Sequence, residues 1–139
     1  MRTTQISARW TGDGLNYVGT DSKGNPVLMG GENLSPAQMV LLGLAGCMGM
    51  DIVSILQKKR QKVADVQILV TAQQPDEYPR PYEAIEVTFV VKGENIDPKA
   101  VERAIELSEE KYCVVGQTLK GNPTIKATFA IEELLEPTV

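Results

Sequence analysis

Residues 35–60 read SPAQMVLLGLAGCMGMDIVSILQKKR, and this stretch decides the fold. Ser35 is suited to cap a helix, Pro36 suits the first helical position, and Gln38 completes the pattern of a capping box. The first half of the following segment is apolar on nearly every side, which is typical of a helix at the centre of a fold. We therefore predict a buried central helix from Pro36 to about Gln61.

Three glycines recur at every third position of this helix, namely Gly43, Gly46 and Gly49. Glycine weakens a helix interior by about 1 kcal/mol relative to alanine, so three of them need a reason. Either another backbone packs very close to the helix, or space is kept free beside it. Both interpretations fit a site or a contact between two subunits at this point, and we favour close packing.

Alternating apolar residues predict strands on both sides of the helix. Before it, residues 4–10, 15–20 and 27–29 form three short strands with glycine-containing turns between them, which indicates an antiparallel meander. After it, residues 66–72 and 85–91 alternate in the same way and are joined by a proline-rich connection.

A second helix is predicted to begin at Asp97, which is followed by Pro98, and to end near Cys113. Its apolar residues lie on one face, and glutamates and lysines lie outward. Alternation over residues 125–131 predicts a last strand. The order βββ-α-ββ-α-β predicts an α+β fold, with residues 1–139 as one domain.

The charge balance excludes several classes of partner. The formal net charge is −4 and the pI is about 4.9, whereas a protein that binds nucleic acid or an anionic membrane needs clustered lysines and arginines. The one basic stretch, residues 58–60, is interpreted as the solvated end of the helix. Residues 1–7 lack the apolar core of a secretory signal. The apolar run over residues 39–50 is shorter than the roughly 20 residues of a membrane helix. We expect a cytoplasmic protein.

The sequence contains no histidine and two cysteines. The missing histidine excludes Ser-His-Asp triads, Cys-His pairs and histidine-ligated metals, and we expect neither a metal nor a cofactor. Cys47 and Cys113 are too far apart in sequence for a CxxC motif or a zinc knuckle. Each is either a buried structural residue or a redox-active thiol.

Three segments together resemble one protein family. Residues 35–36 (SP) followed by residues 44–47 (LAGC) resemble the first cysteine motif of the OsmC/Ohr family, in which the cysteine lies on the central helix. Residues 51–60 resemble the continuation of that helix in a divergent OsmC-like subgroup. Residues 110–115 (EKYCVV) resemble the second cysteine motif. The resemblance covers nearly the whole chain, including the order of its strands.

This resemblance implies an intertwined homodimer with the OsmC-like fold and with thiol sites near the subunit interface. It also implies reduction of organic hydroperoxides in defence against oxidative stress. Cys47 would be the peroxidatic cysteine and Cys113 the resolving one, and a dithiol would reduce the disulfide between them. Gln38 and Asp51 are the candidates for side chains that support the pocket.

The sequence departs from the peroxidase branches of the family in the groups that activate the thiol. Those branches place a glutamate directly after the proline and pair it with an arginine from the amino-terminal region. Here Ala37 takes the position of the glutamate, and Gln38 is the nearest polar residue. Arg9 and Arg80 are the possible suppliers of the arginine.

Asp51 lies four residues after Cys47, hence on the same helix face. An ionised carboxylate there would disfavour a thiolate on Cys47, unless Asp51 binds a partner cation or caps a backbone group. These departures keep two alternatives open. One is a dimer with the OsmC fold that binds a small apolar or electrophilic ligand without turnover. The other is a stress-related structural dimer with inert thiols.

Overall fold

The computed structural model describes residues 1–134, and residues 135–139 of the predicted domain lie outside the described residues. Its elements, in chain order, are β1 (Ser7–Trp10), β2 (Tyr17–Thr20), β3 (Pro26–Met29), α1 (Pro36–Lys58), β4 (Lys62–Gln73), β5 (Ala84–Glu94), α2 (Pro98–Leu107), a π-helical turn (Ser108–Tyr112) and α3 (Val114–Lys120). This α+β architecture agrees with the predicted order up to the second helix.

The first three strands form the predicted antiparallel meander, in the order β1-β2-β3. The turns that flank β2 and β3 contain residues that can adopt a left-handed backbone conformation. Gly30 has a φ of 78°, and a Cβ at this position would collide with the carbonyl oxygen of Leu15. All four residues of β1 are exposed, so this small sheet buries little of its surface within the chain.

Helix α1 begins with the predicted cap and proline, with only the Ser35 half of the predicted capping box formed among the described residues, and it ends slightly earlier than predicted. The Gln38 amide donates to Ser35 Oγ at 3.3 Å, and Pro36 occupies the first turn. The last helical residue is Lys58 rather than Gln61, because Arg60 has a left-handed φ of 59°. The buried residues of α1 follow a four-residue spacing, and they are Leu44, Met48, Ile52 and Leu56.

The prediction that α1 is buried holds for one face of the helix in the single chain. Val40, Leu42 and Met50 are exposed on its other sides. By length and composition alone α1 could also cross a membrane, a test that core helices of soluble proteins pass as well. The prediction that the protein does not bind membranes stays a prediction.

Strands β4 and β5 form a long antiparallel hairpin whose inward residues pack on α1. Gly49 belongs to this contact, because a Cβ there would lie 2.7 Å from Ile68 Cδ1. Gly43 and Gly46 have no heavy atom within 4 Å of an added Cβ. Close packing therefore explains one glycine of the row, and the other two border open space. Helix α2 completes this core with Ala100 and Ala104.

The strand predicted over residues 125–131 is not formed in the single chain. Residues 122–134 have no assigned strand, and every side chain in them is exposed. The alternation of apolar residues is present, but a strand also needs a neighbouring edge to pair its amides and carbonyls. In the described part of the chain β4 and β5 pair only with each other, so the segment has no ladder partner there.

Ile52 lies at the centre of the core and is 0% exposed. We expect Ile52→Val to lower the free energy of unfolding by about 1 kcal/mol and Ile52→Ala by about 2 to 5 kcal/mol, because the larger deletion leaves a cavity that the surrounding helices cannot close. Urea denaturation followed by circular dichroism measures both values. Equal and small losses for the two variants would contradict this position for Ile52.

Candidate functional site

The structure brings the two cysteines together. Cys47 lies in the middle of α1 and is partly exposed, whereas Cys113 lies between the π-helical turn and α3 and is 1% exposed. Both belong to one apolar cluster with Leu44 and Met48. The two thiols are free, and Cys47 packs against the buried cluster that contains Cys113. Residues distant in sequence thus form a thiol pair.

Local backbone geometry fixes the Cys113 sulfur. The Gly116 amide donates to Cys113 Sγ at 3.2 Å, so the thiol caps the amino end of α3. A Cβ on Gly116 would lie 3.4 Å from that sulfur, which leaves little room for a larger residue. On the other side, the Cys113 amide donates to the Ser108 carbonyl oxygen at 2.9 Å and closes the π-helical turn. Cys113 is therefore held from both sides along the chain.

The pKa of the Cys113 thiol is raised above its ordinary value of 9.0. Burial is the main cause, because the thiolate loses its hydration in the apolar cluster. The Gly116 amide opposes this effect by donating a hydrogen bond to the sulfur, while the neighbouring Cys47 thiol and the Asp51 carboxylate add to it. Cys113 is thus a protonated, poorly nucleophilic thiol at neutral pH.

A cleft of about 290 Å³ opens beside Cys113. Its apolar walls consist of Leu44, Met48, Ile85, Val87 and Leu119. Its polar lining consists of Tyr82, Glu83, Glu109 and Lys120, together with Cys113 and Gly116. A volume of this size suits a small organic molecule with few polar groups.

Asp51 is the predicted supporting residue that the structure brings to this region. It is half-buried, and its Oδ2 accepts a hydrogen bond of 2.8 Å from Ser108 Oγ. Its carboxylate contributes to the raised pKa of Cys113. It pairs with a serine hydroxyl here, rather than with a backbone group.

Gln38 lies elsewhere in the structure. Its backbone N–H donates to the Ser35 hydroxyl that caps α1, its side chain is exposed, and it is not among the residues that line the cleft beside Cys113. The geometry therefore gives Gln38 a role in starting the helix.

Neither arginine considered from the sequence lies at the thiols of its own chain. Arg9 is exposed on β1, and the Arg80 guanidinium lies 3.9 Å from the centroid of the Tyr78 ring. The cation that does line the cleft is Lys120, whose Nζ donates to the Glu109 carbonyl oxygen at 3.1 Å. Residues 1–134 contain no group of three or more cysteine, aspartate or glutamate side chains arranged to hold a metal ion.

Sequence reasoning missed Ser108, Gly116 and Lys120 as parts of this site. Ser108 is 0% exposed and bonded to Asp51, yet in sequence it is one serine on the apolar face of a helix. Gly116 and Lys120 follow the second cysteine within one short helix. A polar residue on an otherwise apolar helix face was the available signal for Ser108.

Comparisons with known proteins agree with one another. A family model described as OsmC-like protein matches residues 29–128. Protein YhfA of Escherichia coli K12 is 37% identical over 131 residues, which cover 91% of this chain and 97% of the relative. The crystal structure of a hypothetical protein from Aquifex aeolicus VF5 superposes with a TM-score of 0.80 at 32% identity and covers 86% of this chain and 89% of that chain.

The fold also extends to a more distant solved structure. The organic hydroperoxide resistance protein OhrB of Bacillus subtilis superposes with a TM-score of 0.55 at 19% identity, over 87% of this chain and 93% of that chain. At this identity the likeness concerns the fold alone.

The raised pKa of Cys113 predicts the pH dependence of its alkylation. In Cys47→Ser, which leaves Cys113 as the single thiol, we expect the iodoacetamide rate to rise with a midpoint above 9.0, because burial is the largest cause of the shift. The midpoint measures the pKa independently of slow access to the buried sulfur. Mass spectrometry over a pH series gives the rates, and urea-unfolded protein is the control. A folded-state midpoint at or below that of the control would contradict the prediction.

Proposed function

Because this chain belongs to the OsmC-like protein family, we propose that it is a thiol-dependent peroxidase that reduces organic hydroperoxides. The observation that carries the proposal is the pair of free thiols, Cys47 and Cys113, which share one apolar cluster, with Cys113 lining the apolar cleft. OhrB, which shares the fold, is named for organic hydroperoxide resistance. The apolar walls of the cleft suit the organic part of such a peroxide.

The reaction balances with these two thiols and an external dithiol. The Cys47 thiolate attacks the terminal oxygen of the hydroperoxide, the O–O bond breaks, and the alcohol leaves after taking up a proton. Cys113 then attacks the sulfur of the Cys47 sulfenic acid, which forms the disulfide and releases water. A dithiol reduces this disulfide by exchange and becomes oxidised itself.

Burial and charge support the assignment of the two roles. Cys47 is partly exposed and can meet a peroxide, whereas Cys113 is buried and its raised pKa keeps it protonated. A protonated thiol is a poor first nucleophile, but it can resolve a sulfenic acid already in contact with it. A reducing compartment such as the cytoplasm would return both thiols to the free state after each cycle.

The chain lacks the glutamate and the arginine that the peroxidase branches of the family carry, and this lowers the rate that we expect for its reaction with peroxide. Ala37 cannot pair with an arginine, and Asp51 adds negative charge near the thiols. Without a cation beside Cys47, we expect slower reaction with peroxide than in a fully equipped peroxidase.

The same cleft favours a second candidate function, the binding of a small apolar or electrophilic ligand without turnover. Its volume of about 290 Å³ lies near the lower end for ligand sites, and a buried thiol at its base could add to an electrophile. Native mass spectrometry after mild purification would detect a retained molecule. A ligand-free protein that turns over peroxide would exclude this candidate.

We propose that the functional unit is a homodimer, because the single chain leaves large apolar surfaces uncovered. Gly46, Gly49 and Met50 of α1 border a groove of about 570 Å³ beside β4. The alternating segment after α3 is also exposed, with Ile125 at 90% and Phe129 at 86%. A second copy could cover the groove and offer the sheet edge that this segment lacks.

The peroxidase proposal predicts separate phenotypes for the two cysteines. With an alkyl hydroperoxide and a dithiol, we expect wild-type turnover, and for Cys47→Ser no turnover above the enzyme-free control, because the nucleophile is gone. Cys113→Ser should still form the sulfenic acid, which dimedone traps, but should form no intramolecular disulfide. Peroxide loss and mass spectrometry measure these outcomes. Absence of turnover by the wild type would overturn the peroxidase assignment.

The dimer proposal predicts different effects from neighbouring substitutions in the terminal segment. Phe129 belongs to the apolar face of residues 125–131, and Thr128 to the opposite face of an extended strand. We expect Phe129→Asp to shift the protein from dimer toward monomer and Thr128→Asp to leave it dimeric. Analytical ultracentrifugation at micromolar concentration measures the mass. A monomeric wild type, or equal effects of both variants, would contradict the proposal.

A further inference from the structure

Ser108 connects the two elements that carry the cysteines. Its side chain is 0% exposed, and its Oγ donates to Asp51 Oδ2 at 2.8 Å across the contact between the π-helical turn and α1. Asp51 lies one helical turn after Cys47 on the same helix. A buried hydroxyl bonded to a carboxylate makes a stronger and more directional contact than one between neutral groups.

The same serine is bonded to Cys113 through its backbone. The Cys113 amide donates to the Ser108 carbonyl oxygen at 2.9 Å, a bond between residues five positions apart that forms the π-helical turn. Short π-helical turns of this kind are rare and are found mostly at functional sites. Ser108 is therefore fixed to α1 by its side chain and to Cys113 by its main chain.

We propose that the Asp51–Ser108 hydrogen bond is a positioning contact that holds the Cys113 sulfur in reach of the Cys47 sulfur for disulfide formation. This inference rests on the proposed pairing of the two thiols. Asp51 and Ser108 touch no reacting atom, and they act through the backbone of the π-helical turn. The contact is needed because a disulfide forms only within narrow limits of Cα separation and Cβ direction.

The geometry and the charge of Asp51 act in opposite directions on Cys113. The hydrogen bond to Ser108 holds the sulfur near its target, whereas the negative charge disfavours the Cys113 thiolate that must attack. Asp51→Asn keeps an oxygen that accepts the Ser108 hydroxyl and removes the charge. Asp51→Ala removes both, and Ser108→Ala removes the hydrogen bond alone. These substitutions separate positioning from electrostatics.

The charged and titratable groups that face Cys113 come from several elements. They are Cys47 and Asp51 of α1, Tyr82 and Glu83 before β5, Glu109 of the π-helical turn and Lys120 of α3. None of the proposed substitutions alters Glu83, Glu109 or Lys120, so their contribution is the same in every variant.

A disulfide reagent tests the positioning without any peroxide. The Cys47 thiolate attacks dithiobis(nitrobenzoate), which forms a mixed disulfide and releases one coloured thiolate. The Cys113 thiolate then attacks the Cys47 sulfur, which forms the protein disulfide and releases the second coloured thiolate. The thiol proton of Cys113 passes to solvent. With less than one equivalent of reagent per chain, the second release measures this closure, and it does not depend on whether the protein is a peroxidase.

We expect Ser108→Ala and Asp51→Ala to slow the second release roughly tenfold or more, because small displacements of reacting groups cost large factors in rate. Asp51→Asn should close at least as fast as the wild type, with its pH profile moved to lower pH. Ser54→Ala, an exposed serine on α1 in the cleft beside Asp51, is the matched control and should close at the wild-type rate.

Three results would overturn the inference. They are a wild type that never releases the second thiolate, a Ser108→Ala variant that closes at the wild-type rate, and an Asp51→Asn variant as slow as Asp51→Ala. If Ser108→Ala does not fold, the two Asp51 variants decide alone. Failure of the peroxidase assay with normal closure would count against the proposed function and leave the positioning role intact.

Discussion

The packing of one face of α1 against the β4–β5 hairpin and α2 is the contact on which the rest of the structure depends. Ile52 and Leu56 lose nearly their whole surface to the hairpin and α2, and Leu44 and Met48 lose theirs to the hairpin and Cys113. Each fully buried aliphatic side chain contributes about 1.5 to 3 kcal/mol, so this stripe supplies a large share of the stability of a small domain. The same packing fixes the rotation of α1, and Cys47 and Asp51 take their directions from that rotation.

The thiol site lies where the stripe of buried residues on α1 ends. At its amino-terminal end, Leu44 and Met48 no longer meet α2 but surround Cys113, and the chain after α2 bends through a π-helical turn to bring the cysteine there. A regular α-helix would continue past this point along its own axis. The extra residue in the turn redirects the backbone, so that Cys113 and Gly116 face α1. Apolar packing and a local irregularity together produce the thiol pair.

The sequence predicted those features whose causes are local. Ser35 and Pro36 start α1 through contacts within one turn, and the alternation of residues 66–72 and 85–91 is visible without a partner. The exact end of α1 was not predictable, because Arg60 adopts a left-handed φ that usually belongs to glycine or asparagine. The bond between Ser108 and Asp51 joins residues 57 positions apart, and a single serine on a helix carries no pattern that identifies such a partner. The strand predicted over residues 125–131 is absent for a related reason. Its alternation is visible in the local sequence, but its backbone needs a neighbouring strand from elsewhere to pair with.

In the proposed role of Cys113 as the resolving cysteine, its burial lowers its reactivity, whereas its proximity to Cys47 raises it by a larger factor. Each unit by which burial raises the pKa of Cys113 lowers its thiolate fraction at neutral pH about tenfold. Contact with Cys47 replaces an encounter in solution, and well-oriented groups reach effective concentrations of about 10⁵ to 10⁸ M. Proximity therefore outweighs the loss of thiolate that a pKa raised by several units would cause, provided that the two sulfurs are held in the geometry that a disulfide requires. A thiol that stays protonated is also protected from the peroxide itself. The proposed role of Cys113 therefore depends on precise placement of its sulfur, and the contact of the π-helical turn with α1, through Ser108 and Asp51, is the one that we propose to provide it.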